Sequence, residues 1–201
     1  MELTRRQSTR GKHTMSFEFS AIHDEDLLFK YMAERRGEEG ARLAYYNGGL
    51  RDAKQVLGRA QQLLKKTPEN VLEFASGFGR VSRHMKTLLP SGALTASDIH
   101  PRACDFIARE FEVTTFTSST QPKDLEVGSG YDFIFVLSLF SHLPDQTFGK
   151  WLDRLSEALA PGGILLFTTH GDESMNRFAT LDLSTSDKGD GWLYRRKSDQ
   201  P

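Results

Sequence analysis

The sequence predicts a doubly wound α/β fold, a mainly parallel sheet with helices on both faces, preceded by an N-terminal helical extension. From residue 69 onwards, short apolar runs alternate with helical stretches, which is the pattern of βαβ units. The runs at 133–137 and 164–167 are apolar at successive positions, as expected of strands covered on both faces. A length of 201 residues accommodates one such domain and an extension.

The residues before this domain divide into an arm and a helical extension. Residues 1–20 are polar, basic and aperiodic, so we expect a flexible arm that is solvated or, as the alternative, binds an anion. Residues 21–68 form the predicted extension, with good helix formers up to Tyr46 and an amphipathic helix at 50–64. The Gly48-Gly49 pair is predicted to separate the two helices.

The main domain is predicted to span residues 69–170. Its strands are expected at 71–74, 93–97, 113–117, 131–137 and 164–169, and its helices at about 79–89, 101–111 and 145–160. Residues 171–201 offer only one short strand, at 192–195, and are expected to form an incomplete C-terminal segment. Either the chain is a fragment of a longer protein, or it exposes a sheet edge that invites self-association.

Composition and charge exclude several classes of protein. With 38% hydrophobic and 26% charged residues the chain is an ordinary globular protein, and its net charge of −1 makes nucleic acid and anionic membranes unexpected partners. One cysteine and scattered histidines predict neither a disulfide nor a metal site. The absence of a signal-peptide run and of about 18 consecutive apolar residues indicates a cytoplasmic protein.

The most informative segment is the turn after the first strand. The strand contains Glu73 and leads through Ala75, Gly77 and Gly79 into a helix. Glycines can take positive φ and let the backbone approach a ligand, while the helix N-terminus offers free N–H groups. The alternative interpretation is a tight turn that binds nothing.

Asp98 strengthens the ligand-binding interpretation. It follows the second predicted strand and lies about 20 residues after Gly79, the spacing at which an acidic side chain reaches ribose hydroxyls beside the first βα turn. A carboxylate can accept hydrogen bonds from both vicinal hydroxyls, which favours a ribonucleoside. Capping of the helix that begins at His100-Pro101 is the alternative, and the two roles are compatible.

Four motifs follow one another along the chain: VLEFASGFGR, Asp98, YDFIFVLSLFSHLP and LAPGGILLFTTHG. Over roughly residues 69–170 the sequence thereby resembles the class I S-adenosylmethionine-dependent methyltransferases. The family pattern of an acidic residue followed by three alternating glycines is matched at three positions, Glu73, Gly77 and Gly79. It departs at Ala75, where one extra methyl group is expected to alter the turn slightly and puts the cofactor affinity in question, without removing the site.

The resemblance implies a Rossmann-like sheet of strand order 3-2-1-4-5, which the family completes with a C-terminal hairpin. It also implies S-adenosyl-L-methionine as the cofactor, lying across the carboxyl ends of the first two strands. In this arrangement Glu73 faces the methionine amino end, and Gly77 and Gly79 let the backbone approach the cofactor. Asp98 binds the ribose, and Ile99 flanks the adenine.

Residues after the third and fourth strands complete the site that the resemblance implies. Ser118 and Ser119 stand where the family often places an acidic residue for the adenine amino group, so a hydroxyl or a backbone group must substitute. Leu137, Ser138 and His142 would border the cofactor and the acceptor pocket. The implied activity is methyl transfer to an oxygen or nitrogen of a small or medium-sized acceptor molecule.

Two histidines are candidate catalytic residues, because a hydroxyl acceptor must lose a proton during methyl transfer. His142 and His170 follow the fourth and fifth predicted strands, whose carboxyl ends border the crevice of an open α/β sheet. A neutral imidazole can accept a proton near pH 7, and His170 is preferred for this role. The alternative for each is a hydrogen bond to loop backbone.

Other functions remain as alternatives at this stage. The chain could bind S-adenosylmethionine or a partner without catalysis, and an NAD(P)-dependent oxidoreductase is less favoured because Ser82 stands where the third glycine of that fingerprint belongs. The Asp172-Glu173 pair is interpreted as a solvated helix start and not as a metal site. Tyr45 and Tyr46 are either packing residues or a lid over the crevice.

Overall fold

The computed structural model describes residues 19–171 of the chain. Three predictions fall outside these residues: the flexible arm up to residue 18, the Asp172-Glu173 pair, and the short strand at 192–195 in the C-terminal segment.

The described residues contain a five-stranded parallel sheet in the order β3-β2-β1-β4-β5. The strands are β1 (Val71–Phe74), β2 (Leu94–Asp98), β3 (Thr114–Thr117), β4 (Tyr131–Val136) and β5 (Leu159–Phe167). The predicted fold class and strand order are confirmed. Because β1 pairs with both β2 and β4, the chain reverses its direction of winding beside β1, and ligands of open α/β sheets bind at that point.

Four α-helices connect and cover the strands. They are α1 (Leu27–Leu64), α2 (Ser82–Leu88), α3 (Pro101–Phe111) and α4 (Asp145–Ser156), with short 3₁₀ turns at Pro122–Asp124 and Leu139–Ser141. On one sheet face, β-strand side chains pack with apolar residues of α1, α2 and α3, including Leu57, Met85 and Ile107. On the other face they pack with α4, through Trp151 and Leu155. Helices on both faces are what defines a doubly wound sheet.

The long helix α1 departs from the prediction at its glycines. Its backbone leaves the helical range at Gly37, which has φ 69° and ψ 164°, whereas the helix continues through the Gly48-Gly49 pair. A Cβ on Gly49 would stand 2.3 Å from the carbonyl oxygen of Arg80. The predicted break at the pair is therefore wrong, because the glycines allow α1 to pack closely on the turn after β1.

The last strand is longer than predicted, and its side chains are more exposed. β5 begins at Leu159, ahead of the Pro161-Gly162-Gly163 turn, and this turn bulges out of the pairing between β4 and β5. Residues 164–167 are half-buried, in contrast to the fully buried core of β4. The apolar run was expected to be covered on both faces, but within residues 19–171 β5 is an edge strand with a neighbour on one side only.

None of the helices between residues 19 and 171 combines the length and the apolarity needed to cross a lipid bilayer. Over the same part of the chain, no group of three or more His, Cys, Asp or Glu side chains is arranged to hold a metal ion.

Candidate cofactor-binding site

A cavity of about 860 Å³ opens where β1 and β4 end. Its volume is in the range of pockets for small molecules and cofactors. One part of its wall is the turn after β1, and another comes from residues 25–28 and Lys30 around the start of α1. Of the predicted cofactor residues, five line the cavity: Glu73, Ala75, Gly77, Leu137 and Ser138.

The turn after β1 has left-handed backbone at three alternate residues. The φ angles are 61° at Ala75, 55° at Gly77 and 74° at Gly79. For alanine this conformation costs roughly 1–2 kcal/mol. The turn thus keeps the shape that three glycines would give it, and Ala75 holds that shape under strain.

The two glycines of the turn serve different purposes. A Cβ on Gly77 would meet nothing within 4 Å, so the space beside this residue is open to the cavity it lines. A Cβ on Gly79 would stand 2.5 Å from Phe111 and 2.9 Å from Ile107, both on α3. The absence of a side chain at Gly79 therefore allows α3 to pack closely on the turn, and the absence of a side chain at Gly77 leaves room for a ligand.

Asp98 fixes the turn from the end of β2. The Gly77 N–H donates to its Oδ2 at 2.7 Å, and the His100 N–H donates to its Oδ1 at 3.0 Å. The side chain is buried, with 6% exposure. Each carboxylate oxygen has a second acceptor position, so the same group can still accept hydrogen bonds from a ligand. The ribose role is thus compatible with its geometry, whereas the N-cap of α3 is His100, without a side-chain cap hydrogen bond, so the capping alternative for Asp98 is wrong.

Glu73 is a buried carboxyl group in the cavity wall. Burial raises its pKa to about 8, against the lowering effects of the Ser82 hydrogen bond and of the Arg80 charge. The Ser82 hydroxyl donates to Glu73 Oε2 at 2.7 Å. Glu73 is therefore largely protonated at neutral pH, and a cation that enters the cavity would favour its ionised form.

Arg80 and Ser82 belong to the site but were not assigned to it from the sequence. Arg80 lines the cavity and pairs with Asp52 of α1, with 2.7 Å between Nη2 and Oδ2. Ser82 begins α2 and is fully buried against Glu73. A basic residue and a serine directly after the glycines are weak sequence signals, because their partners lie elsewhere in the chain.

The residues predicted to contact the adenine lie next to the cavity, but not among its lining residues. Ile99 follows Asp98, and its side chain is 41% exposed. The Ser118 N–H donates to the Asp98 carbonyl oxygen at 2.8 Å, and the Ser119 hydroxyl accepts a hydrogen bond from Gln121 N–H. The structure therefore brings these residues to the Asp98 side of the crevice.

The residues after β4 form another part of the cavity wall. Leu137 and Ser138 line it, and Ser138 has a left-handed backbone with φ 67°. The Ser138 N–H donates to Oγ1 of Thr168 at 2.8 Å, which ties the end of β4 to the end of β5.

The two candidate catalytic histidines are exposed and do not line the cavity. His142 ends the 3₁₀ turn after β4, and His170 follows β5 by three residues. Tyr45 and Tyr46 are buried to 1% and 2% exposure, and the Tyr45 hydroxyl donates to Asp26. Both tyrosines are thus packing residues, and Tyr45 also lines the cavity.

Comparison with known proteins was made against family models, curated proteins and solved structures. Residues 72–165 match the model of the methyltransferase domain family. No curated protein matches. CalS10, an amino pentose methyltransferase from Micromonospora echinaspora solved with S-adenosylmethionine bound, has a similar structure with a TM-score of 0.56 and 17% identity.

Two further solved structures share the fold. The plantazolicin methyltransferase BpumL, solved with a desmethyl substrate analogue and S-adenosylhomocysteine, has a TM-score of 0.56 and 18% identity over 75% of this chain and 56% of its own. DesVI from Streptomyces venezuelae has a TM-score of 0.53 and 15% identity over 75% of this chain and 59% of its own. For CalS10 the corresponding shares are 71% and 56%, so the chain spans little more than half of these proteins.

The family match and the fold agree with each other. Residues 72–165 match a methyltransferase domain and the sheet has the class I methyltransferase fold, so the resemblance seen in the sequence is confirmed.

Proposed function

We propose that this protein transfers a methyl group from S-adenosyl-L-methionine to an oxygen or nitrogen of a small or medium-sized acceptor. The observation that carries the proposal is the arrangement around the turn after β1. Glu73 and Gly77 line one cavity, and Asp98 holds the turn through the Gly77 N–H. An acidic group and open backbone in the cavity wall, next to the carboxylate that we propose for the ribose, support this function.

The residues present suit each part of the cofactor. Asp98 has free acceptor positions for the ribose hydroxyls, and the exposed Ile99 provides an apolar surface for the adenine. Ser118 and Ser119 offer hydroxyl and backbone groups beside it. The open space at Gly77 lets the ligand approach the backbone.

We assign the methionine end of the cofactor to Glu73 and Arg80. Both line the cavity, and the charge of Arg80 acts on Glu73 closely enough to lower its pKa. An ammonium group would pair with the ionised Glu73, and a carboxylate would pair with Arg80. Asp52 keeps the guanidinium in place for this contact.

Bound S-adenosylmethionine would supply an electrophilic methyl group, so the chain must align the acceptor and, for a hydroxyl, take up a proton. We propose His170 for proton uptake and His142 as a second candidate. In support, His170 lies two residues beyond Thr168, which is hydrogen-bonded to Ser138 of the cavity wall. An amine acceptor that binds deprotonated needs no base, which suits the exposed positions of both histidines.

The remaining expectations about partners belong to the same proposal. The acceptor is a small molecule, in keeping with an amino pentose methyltransferase such as CalS10 among the similar structures. We expect no nucleic acid or membrane partner, a cytoplasmic location, and self-association through an exposed sheet edge.

Binding without catalysis is the second candidate function. It is favoured by the absence of both histidines from the residues that line the cavity. Turnover separates the two functions. The protein, with S-adenosylmethionine and a panel of amine and hydroxyl acceptors, should release S-adenosylhomocysteine in the presence of at least one acceptor. Tight binding of the cofactor without product from any acceptor would instead support a binding protein.

A further inference from the structure

Arg83 of α2 is the largest fully buried side chain of the described residues, with 1% exposure. Its guanidinium carbon lies 4.8–5.3 Å from the ring centres of Tyr45, Tyr46 and Phe111. A buried charge is costly unless hydrogen bonds satisfy it. The acceptors of this guanidinium therefore matter for the local structure.

Those acceptors belong to two different elements. On one side, Arg83 Nε donates to the Gly79 carbonyl oxygen at 3.0 Å, in the turn after β1. On the other side, Nη1 donates to the carbonyl oxygens of Phe19 at 2.9 Å and Ala21 at 2.8 Å, in the segment that precedes α1. Nη1 also donates to the Tyr46 hydroxyl, which in turn donates to the Ser20 carbonyl oxygen.

Both of these elements form walls of the cavity. The N-terminal segment, residues 19–30, contributes residues 25–28 and Lys30, and the turn contributes residues 75–78. Separating the segment from the turn would leave buried N–H groups of Arg83 without acceptors. The Arg83 guanidinium thus bridges residues 19–21 of this segment and the turn after β1.

We propose that Arg83 is a positioning residue that couples closure of the N-terminal segment to occupancy of the turn by S-adenosylmethionine. The inference rests on the proposed function, which places the cofactor in this cavity. A ligand that holds the turn in its bound shape fixes the Gly79 carbonyl oxygen, which accepts from Arg83. Because the same guanidinium donates to residues 19–21, the ligand also stabilises the docked position of those residues. By linkage, docking of the segment increases ligand affinity by the same factor.

The coupling requires the planar, forked shape of arginine. Lysine at position 83 keeps the charge and most of the apolar contact with the aromatic rings. Its single nitrogen cannot reach Gly79 on one side and both Phe19 and Ala21 on the other. Arg83→Lys therefore tests the coupling with little loss of packing. Tyr46→Phe removes only the hydroxyl between the guanidinium and Ser20, and provides a second, milder variant.

The test is amide hydrogen exchange of residues 19–30, measured by mass spectrometry with and without saturating S-adenosylhomocysteine. In the wild type the ligand should slow exchange of this segment by at least about fivefold, the lower range of coupling between sites. In Arg83→Lys at equal saturation, exchange should stay within about twofold of the ligand-free rate, while the turn itself remains protected. Tyr46→Phe should give an intermediate value.

Arg109→Lys is the matched control, because this arginine on α3 is exposed, forms its ion pair with its neighbour Glu110, and does not contact residues 19–21 or the turn. It should behave like the wild type. A purely structural Arg83 would lower thermal stability but keep the ligand-dependent slowing, and that result would overturn the coupling. If the wild type binds the ligand without slowing exchange of residues 19–30, the coupling is contradicted but the proposed function is not. If it does not bind, the proposed function fails.

Discussion

Gly49 of α1 lies against the backbone of Arg80, and a Cβ at position 49 would stand 2.3 Å from the Arg80 carbonyl oxygen. The longest helix of the domain thus rests directly on the turn that forms the cavity wall. Because backbone cannot move aside as a flexible side chain does, this contact admits only glycine.

Gly49→Ala should lower the free energy of unfolding by about 1–3 kcal/mol, since overpacking forces a backbone shift. Gly58→Ala on the same helix is the control, because a Cβ there meets nothing within 4 Å. The control should raise stability by about 0.5–1 kcal/mol through the higher helix propensity of alanine. Urea denaturation of both variants measures the difference. Equal effects at the two positions would mean that α1 does not pack on the turn.

Asp98→Ala should weaken binding of S-adenosylmethionine by about 1.5–3 kcal/mol, the range for hydrogen bonds to a charged group. The substitution removes the acceptor for the Gly77 N–H together with the proposed ribose contact. Asp105→Ala on the exposed side of α3 is the matched control and should leave affinity unchanged. Calorimetry gives both values, and an unaltered affinity in Asp98→Ala would remove the ribose role.

The raised pKa of Glu73 makes stability depend on pH. The carboxyl takes up its proton at a pKa of about 8 in the folded protein, against an ordinary value of 4.5. Between these values the folded state binds more protons than the unfolded state, so the free energy of unfolding falls as pH rises and levels off above pH 8. His84 acts oppositely, because burial lowers its pKa from 6.5 to about 4, so its contribution rises with pH and levels off about one unit above pH 6.5.

Comparison with Glu73→Gln from pH 6.5 to 8 separates Glu73 from His84, because both proteins contain His84. In this pH range the free energy of unfolding of the wild type should fall by up to roughly 1 kcal/mol per pH unit relative to Glu73→Gln. The glutamine keeps an acceptor for the Ser82 hydroxyl. Denaturant unfolding at several pH values measures this difference. Parallel pH profiles of the two proteins would show that Glu73 is already ionised at neutral pH.

His170→Ala should lower kcat at least about 100-fold if the acceptor atom is a hydroxyl, because a general base contributes about that much or more. Cofactor affinity should hardly change, since the side chain does not line the cavity. The pH profile of kcat should also lose a limb near neutrality. His142→Ala provides the comparison within the same assay. Near-normal kcat with an unchanged profile would indicate that alignment alone suffices, as for an amine acceptor.

The strands and the turn after β1 could be predicted from sequence because they depend on local patterns. Apolar runs mark β1 and β4, and the spacing from Gly79 to Asp98 reflects the fixed size of a βαβ unit. The Gly48-Gly49 pair was misinterpreted as a helix break, because a glycine in a helix has the same sequence signal whether it ends the helix or admits a close neighbour.

The rest of the site depends on contacts that no local pattern contains. Arg83 is surrounded by polar and basic residues in sequence, yet its acceptors at Phe19 and Ala21 lie more than 60 residues away. Asp26 likewise stands in a charged run, but it caps α1 through the Phe29 N–H and accepts from Tyr45. Only the folded chain brings these groups together.

The central claim is that the cavity binds S-adenosylmethionine, and isothermal titration calorimetry tests it directly. We predict that S-adenosylmethionine and S-adenosylhomocysteine both bind to the wild type with dissociation constants well below millimolar, and that NADH does not. The claim is contradicted if neither sulfur compound binds below millimolar concentration while NADH does.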